Sequence, residues 1–222
     1  DLIGFHTHDY MRHFISAIYR VLNLNCNLDE VSLGNRIVHI DAFPMGINYE
    51  QYHNAPNLPE VKEKSKLLKD SLGDREILLS VDRLDYSKGI LHRLNGFEQF
   101  LENNPQYHDK VSLAMIVVPS RDTVDIYAEL KTQIDQLIGE INGKYSKLGW
   151  NPIYYYYQSF NFEELIAMYD IAQIALVTPL REGMNLVAKE YLATKCNKPG
   201  VLILSEMAGA AIELPDAIII NP

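Results

Sequence analysis

From Glu76 to the end of the chain, short apolar runs alternate with longer stretches in which apolar residues recur at helical spacing. The runs cover 77–81, 112–118, 152–157, 174–177, 201–204 and 217–220, each bounded by Asp, Pro, Gly or Ser. A continuous apolar run has no polar face, which suits a strand covered on both sides. Helical patterns occupy 88–103, 123–138, 162–169, 184–194 and 207–214. Strands alternating with helices in this way predict an α/β fold with a doubly wound parallel sheet. In such sheets ligands bind beyond the carboxyl ends of the strands.

Residues before 57 follow another pattern: a helix over 9–24, a strand over 36–40 and a turn-rich segment from Phe43 to Asn48. That is too little to close a core of its own. Residues 1–56 are therefore expected to be the remnant of a preceding domain plus a linker, and 57–222 the ligand-binding domain. Asp1-Leu2-Ile3-Gly4 reads as a strand already in progress, so the chain is expected to come from a longer protein. The cluster Tyr154 to Tyr157 fits strand packing better than a ligand platform.

Composition narrows the partners. A 47% hydrophobic share supports a packed core, and a 22% charged share argues against disorder. The net charge of -9 opposes general binding to nucleic acid or to an anionic membrane. An anionic ligand must then be met by locally clustered cations. Two cysteines without a Cys-x-x-Cys pair offer neither a zinc framework nor a disulfide scaffold. With no apolar run of about 18 residues and no signal-peptide pattern, a soluble cytoplasmic protein is expected.

Three constellations carry candidate chemistry. The segment Val81 to Gly89 places Arg83 and Lys88 where the first core strand gives way to its helix. Cations at a helix N-terminus oppose its dipole unless an anion arrives, which points to a phosphate. A surface network with Asp82 and Asp85 explains the same residues equally well. The segment Arg181 to Tyr191 offers Gly183 for close backbone approach and the N–H groups of Asn185, Leu186 and Val187 for an anion. Glu182 and Glu190 would each grip sugar hydroxyls. The alternative, slightly favoured on these residues alone, has Glu182 capping the helix and Glu190 pairing with Lys189 or a neighbour. Arg121, at the end of the strand over 112–118, would hold a phosphate or pair with Asp122 or Asp125. His6, His8 and His13 with Asp9 lack the further ligands a zinc site needs. Neither a Gly-x-Gly-x-x-Gly nor a Walker loop occurs.

SVDRLDYSKG (80–89), VVPSRDTVD (117–125), INGKYSKLGW (141–150), REGMNLVAKEY (181–191) and LSEMAGAA (204–211), preceded by GFHTHDYMRHF (4–14), resemble in order the motifs of the trehalose-6-phosphate synthases. These are retaining glycosyltransferases with two Rossmann-like domains, the GT-B fold. The resemblance implies transfer of glucose from UDP-glucose to glucose-6-phosphate, with this chain forming the carboxyl-terminal, nucleotide-binding half. It implies that Arg83 and Lys88 hold the diphosphate, that Glu182 holds hydroxyls of the donor glucose, and that Gly183, Met184 and Asn185 belong to the donor-binding residues. Leu186, Val187, Ala188, Lys189 and Glu190 would serve the nucleotide end, with Glu190 on the ribose and Phe160 on the uracil side. Arg121 would contact the phosphate of glucose-6-phosphate. Family members more often carry Asp where Glu182 stands, a difference of one methylene.

No second carboxylate is placed to act as a nucleophile, so the reaction is expected to run on one face of the sugar. Arg83 and Lys88 would carry the leaving charge without a metal or cofactor, in keeping with the absence of an Asp-x-Asp pair. The alternatives are a related synthase with another acceptor or donor, and a non-catalytic sugar-nucleotide-binding or regulatory domain. A homo-oligomer or a trehalose-synthesis complex is the assembly the resemblance leaves open.

Overall fold

The computed structural model describes residues 1–120, 125–195 and 198–222. The first segment forms β1 (Leu2–Phe5), α1 (His8–Leu22), β2 (Cys26–Asn27), β3 (Glu30–Leu33) and β4 (Arg36–Ala42). These strands make a four-stranded sheet in the order β1-β4-β3-β2, with β1 parallel to β4 and the other pairs antiparallel. Only the helix and β4 are evident in the residue pattern, with β1 visible as a strand in progress. The strands β2 and β3 are too short and polar to show, and the Gly34-Asn35 turn that folds β3 onto β4 supplies their register. Thr7 caps α1 by accepting a hydrogen bond from the Tyr10 N–H at 3.4 Å, yet no residue of α1 is buried.

The chain continues through α2 (Tyr49–Asn54), α3 (Pro59–Leu72), β5 (Glu76–Arg83), α4 (Ile90–Asn103), β6 (Val111–Val118), α5 (Asp125–Tyr145) and β7 (Ile153–Tyr156). It then forms α6 (Phe162–Ile171), β8 (Ile174–Val177), α7 (Leu186–Lys195), β9 (Val201–Ser205) and β10 (Ile218–Ile220). All six strands from β5 to β10 are parallel, in the spatial order β10-β9-β8-β5-β6-β7. The expected doubly wound sheet is present, and its order reverses between β5 and β8.

Period-two alternation on β6 explains the two covering layers. Ala114 and Ile116 face the cluster formed with α3, α6 and α7, including Val61, Ile166, Tyr169 and Tyr191. Leu113, Met115 and Val117 face α4 and α5 through Leu94, Phe97, Ile134 and Ile138. The tyrosine cluster divides likewise: Tyr154 and Tyr156 pack on the first layer, Tyr155 and Tyr157 on the second. Buried Trp150 donates its indole N–H to the Val111 carbonyl at 2.9 Å.

Further elements depart from the sequence pattern. Helix α3 was not apparent, because Val61, Ser65 and Leu72 are its buried residues and lysine and glutamate fill most of the rest. The helix pattern over 123–138 becomes α5, which runs on through Gly139 and Gly143 to Tyr145. The helix expected over 207–214 is a single 3-10 turn, Gly209–Ile212. Its leading N–H groups serve another loop: Gly209 donates to the Glu182 carbonyl at 3.1 Å and Ala210 to the Met184 carbonyl at 2.7 Å.

The turn after β5 is held by a buried cation that the motifs did not single out. Arg93 donates to Asp82 at 2.6 Å, to the Thr178 hydroxyl at 2.9 Å and to the Lys88 carbonyl at 3.1 Å, and also bonds Ser80. Burial holds the Asp82 pKa above the usual carboxylate value, against the opposing pull of the adjacent guanidinium. Removing one member of a buried pair strands the other charge. Arg93→Ala is therefore expected to cost about 3–5 kcal/mol in urea unfolding. Arg93→Lys should recover little of it, because one ammonium cannot reach all four acceptors of the guanidinium fork.

Candidate functional site

The loops that follow β5 and β8 meet at the point where the strand order reverses, the place where open α/β sheets bind ligands. After β5, Asp85 accepts from the Ser87 N–H at 2.9 Å and shapes the 3-10 turn Tyr86–Lys88. Gly89 follows with a φ of 66°, and a Cβ there would lie 2.6 Å from the Thr178 carbonyl oxygen. Helix α4 thus starts two residues later than the 88–103 pattern suggests, and Lys88 is left in the turn. Its ammonium is buried and forms an ion pair with Glu182. Arg83, the last residue of β5, is exposed and pairs with no carboxylate among the described residues.

The second loop is fixed by its own polar groups. Asn185, buried and at a φ of 83°, accepts from the Ala188 N–H at 2.9 Å and so caps α7. Its amide donates to Glu182 at 2.8 Å. Glu182 therefore faces Lys88 with one oxygen and Asn185 with the other. It does not cap the helix. The N–H groups of Leu186 and Val187 fall in the first turn of α7, where a helix offers no acceptor of its own. Gly209 packs so closely under this loop that a Cβ would sit 2.1 Å from the Gly183 oxygen.

Glu190 lies one turn further along α7. It accepts from the Tyr169 hydroxyl at 2.9 Å, and Tyr52 stands beside it. Burial first, then the charge and hydrogen bond of Glu190, push the Tyr52 hydroxyl up to about 12. Lys189 is engaged elsewhere, with Glu213 at 2.9 Å and the Met45 carbonyl at 2.8 Å. Glu190 thus does not pair with Lys189. Met184 and Ala188 are buried beneath the loop, and Phe160 packs edge-on against Tyr156 with ring centres 5.3 Å apart. Arg121 lies outside the described residues.

The surface-network reading of the first motif does not hold either. Asp82 pairs with Arg93, and Lys88 pairs with Glu182. Sequence reasoning missed Arg93, Tyr52 and Tyr169, whose long-range partners leave no local spacing to detect. It rejected the early histidines as a zinc site and counted them in the motif over 4–14, but gave them no place in this site. His6 instead faces the Gly183 turn, and its Nδ1 is buried without a hydrogen-bond partner among the described residues. A recess of about 200 Å³ opens nearby between the start of α1 and the loops that follow β8 and β9, lined in part by Thr7, Tyr10, His13 and Glu182. Larger cavities exist elsewhere, so the paired chemistry rather than volume marks this site.

Residues 1–222 match glycosyltransferase family 20. The chain belongs to that family. This family 20 chain is 44% identical over 222 residues to the bifunctional trehalose-6-phosphate synthase/phosphatase of Thermoproteus tenax, covering all of this chain and 30% of that protein. Among solved structures it is similar to a UDP-forming alpha,alpha-trehalose-phosphate synthase from Burkholderia xenovorans in complex with glucose-6-phosphate. There the TM-score is 0.95 at 36% identity, with 100% of this chain and 50% of that one covered. The E. coli trehalose-6-phosphate structure bound with UDP-2-fluoro glucose gives a TM-score of 0.93 at 38% identity, again covering 100% of this chain and 50% of that one. The family 20 chain thus spans half or less of the length of these relatives. Among the described residues no helix is long and apolar enough to cross a membrane.

The positive φ and the cap at Asn185 can be separated by substitution. Asn185→Ala loses both the cap and a side chain tolerant of that backbone, and should cost about 2 kcal/mol. Asn185→Gly keeps the backbone accessible and should cost about 1 kcal/mol less in thermal or urea unfolding.

Proposed function

We propose that the protein to which this chain belongs transfers glucose from UDP-glucose to glucose-6-phosphate, with retention, giving trehalose-6-phosphate and UDP. The observation that carries this reading is the Lys88–Glu182 pair, which joins two strand ends at the sheet's switch point, with Arg83 exposed beside it and the α7 amides opening nearby. The relatives bound to glucose-6-phosphate and to UDP-2-fluoro glucose support it.

In this proposal residues 57–222 form the sugar-nucleotide domain and 1–56 belong to the acceptor-side domain. Arg83 and Lys88 face the diphosphate, and the N–H groups of Leu186 and Val187 assist at the helix N-terminus. Glu182 orients the donor glucose. Its two bonds to Lys88 and Asn185 leave lone pairs on both oxygens for sugar hydroxyls. Glu190, steadied by Tyr169 and Tyr52, meets the ribose, and Phe160 lies on the uracil side. Met184 and Ala188 shape the floor.

As the glycosidic bond breaks, charge grows on the diphosphate, where two fixed cations stabilise it without reorganisation and without a cofactor. The departing phosphate oxygen takes the proton of the acceptor hydroxyl on the same face. Arg121 holds the acceptor's phosphate. The setting is cytoplasmic. A non-catalytic binding domain is the weaker reading, because decay of the donor site would not keep Lys88, Glu182 and Asn185 mutually engaged.

Calorimetric titration tests the donor side: UDP and UDP-glucose should bind more tightly than GDP-glucose, ATP or NAD. Equal weak heats throughout would remove the proposal. In the full-length enzyme, Arg83→Ala and Lys88→Ala should each lower turnover by about 10²–10³. The double variant should fall short of the product of the singles, since both address one developing charge. Arg121→Ala should raise the Michaelis constant for glucose-6-phosphate and leave UDP binding unchanged. Weakened UDP binding there would reverse the division between donor and acceptor sides.

A further inference from the structure

A second cavity, of about 480 Å³, lies at the opposite edge of the parallel sheet, between α3 and the carboxyl-terminal ends of α6 and α7. Lys62, Lys66 and Lys69 line it from α3, and Lys198 lines it from the segment that leads into β9. The three α3 lysines stand at i, i+4 and i+7 and share one helix face. Like charges at that spacing destabilise a helix. None of the three has a carboxylate partner among the described residues. Asp70 and Asp170 also line the cavity, but Asp170 is engaged by Lys198.

A solvated lysine face would explain the charges alone. It does not explain Ser65, which sits between these lysines, is 6% exposed and lines the same cavity. Its hydroxyl oxygen is buried and has no hydrogen-bond partner among the described residues. A buried hydroxyl left without a partner is costly, so such groups point to a missing ligand. Nearby, burial above all, with Lys198 and Lys69 adding to it against the opposing pull of Asp170, pushes Lys195 down to about 8. The four lysines gather in a chain whose net charge is -9.

We propose that this cavity is a second binding site, for the phosphate group of a small phosphorylated metabolite, with Lys62, Lys66 and Lys69 meeting the charge and Ser65 donating a hydrogen bond. The volume far exceeds that of a phosphate ion, which favours an ester over the free anion. The site is separate from the β5 and β8 loops: α7 carries Asn185 and Leu186 at one end and Thr194 and Lys195 at the other, about 15 Å apart.

The test uses the full-length protein and two probes, glycerol 2-phosphate and inorganic phosphate, titrated by calorimetry. The ester should bind saturably and more tightly than inorganic phosphate. Lys66→Glu combined with Lys69→Glu should weaken it by about tenfold or more, since two attractions become repulsions. Ser65→Ala should weaken binding several-fold yet leave the melting temperature unchanged or higher, because the hydroxyl it removes bonds nothing in the free protein. That variant decides the matter if the charge reversal fails to fold. Arg83→Ala should leave ester binding intact. Ester binding unaltered by both the charge reversal and Ser65→Ala would overturn the proposal, as would equal affinity for the two probes or loss of binding in Arg83→Ala.

Discussion

The buried ion pair between Asp82 and Arg93 is the constraint on which the functional edge depends. A carboxylate taken from water must be paired or must give up its charge. Arg93 meets that demand and spends its remaining donors on Ser80, Thr178 and the Lys88 carbonyl. One side chain thereby ties β5, α4 and the end of β8 together. The position of Lys88 follows from it, and Glu182 and Asn185 follow from Lys88. The candidate site is wired to the sheet through buried electrostatics, which loop flexibility alone would not provide.

Two carboxylates eight positions apart are held in contrasting ways. Glu182 is met by a cation and an amide, so its charge is largely neutralised within the protein. Glu190 is met by the Tyr169 hydroxyl, with Tyr52 alongside, donors that orient it and leave its charge in place. In the proposed reaction the first arrangement would let Glu182 orient the donor glucose close to the diphosphate. The second would let Glu190 accept the ribose hydroxyls of that proposal. Arg83 differs from both, being exposed and free of carboxylates among the described residues. It stands open to an incoming anion.

The chain's cations are distributed with similar economy. An overall charge of -9 makes general attraction of anions unfavourable, so recognition rests on local groups. Arg83 and Lys88 lie toward one end of α7, and the lysines of α3 line a cavity at its other end. Between them Tyr191 is fully buried and donates to the Gln173 carbonyl at 3.0 Å, fastening α7 to the start of β8.

The parallel sheet was legible from residue order alone, because strands covered on both faces must be apolar throughout and cannot be mistaken for amphipathic stretches. The motifs with Arg83, Lys88, Glu182 and Glu190 were legible too, since loops at strand ends carry their chemistry in contiguous residues. Helix α3 and the strands β2 and β3 were not, for their burial rests on a few positions or on a turn. Which partner each charge takes was decided only by tertiary structure. Asp82 chose Arg93, 11 positions away, and Lys88 chose Glu182, 94 positions away. Local spacing offered Asp82 and Asp85 as partners for Arg83 and Lys88, but burial reverses that choice: once a charge leaves water, the partner that can follow it into the core wins over the one nearest in the chain.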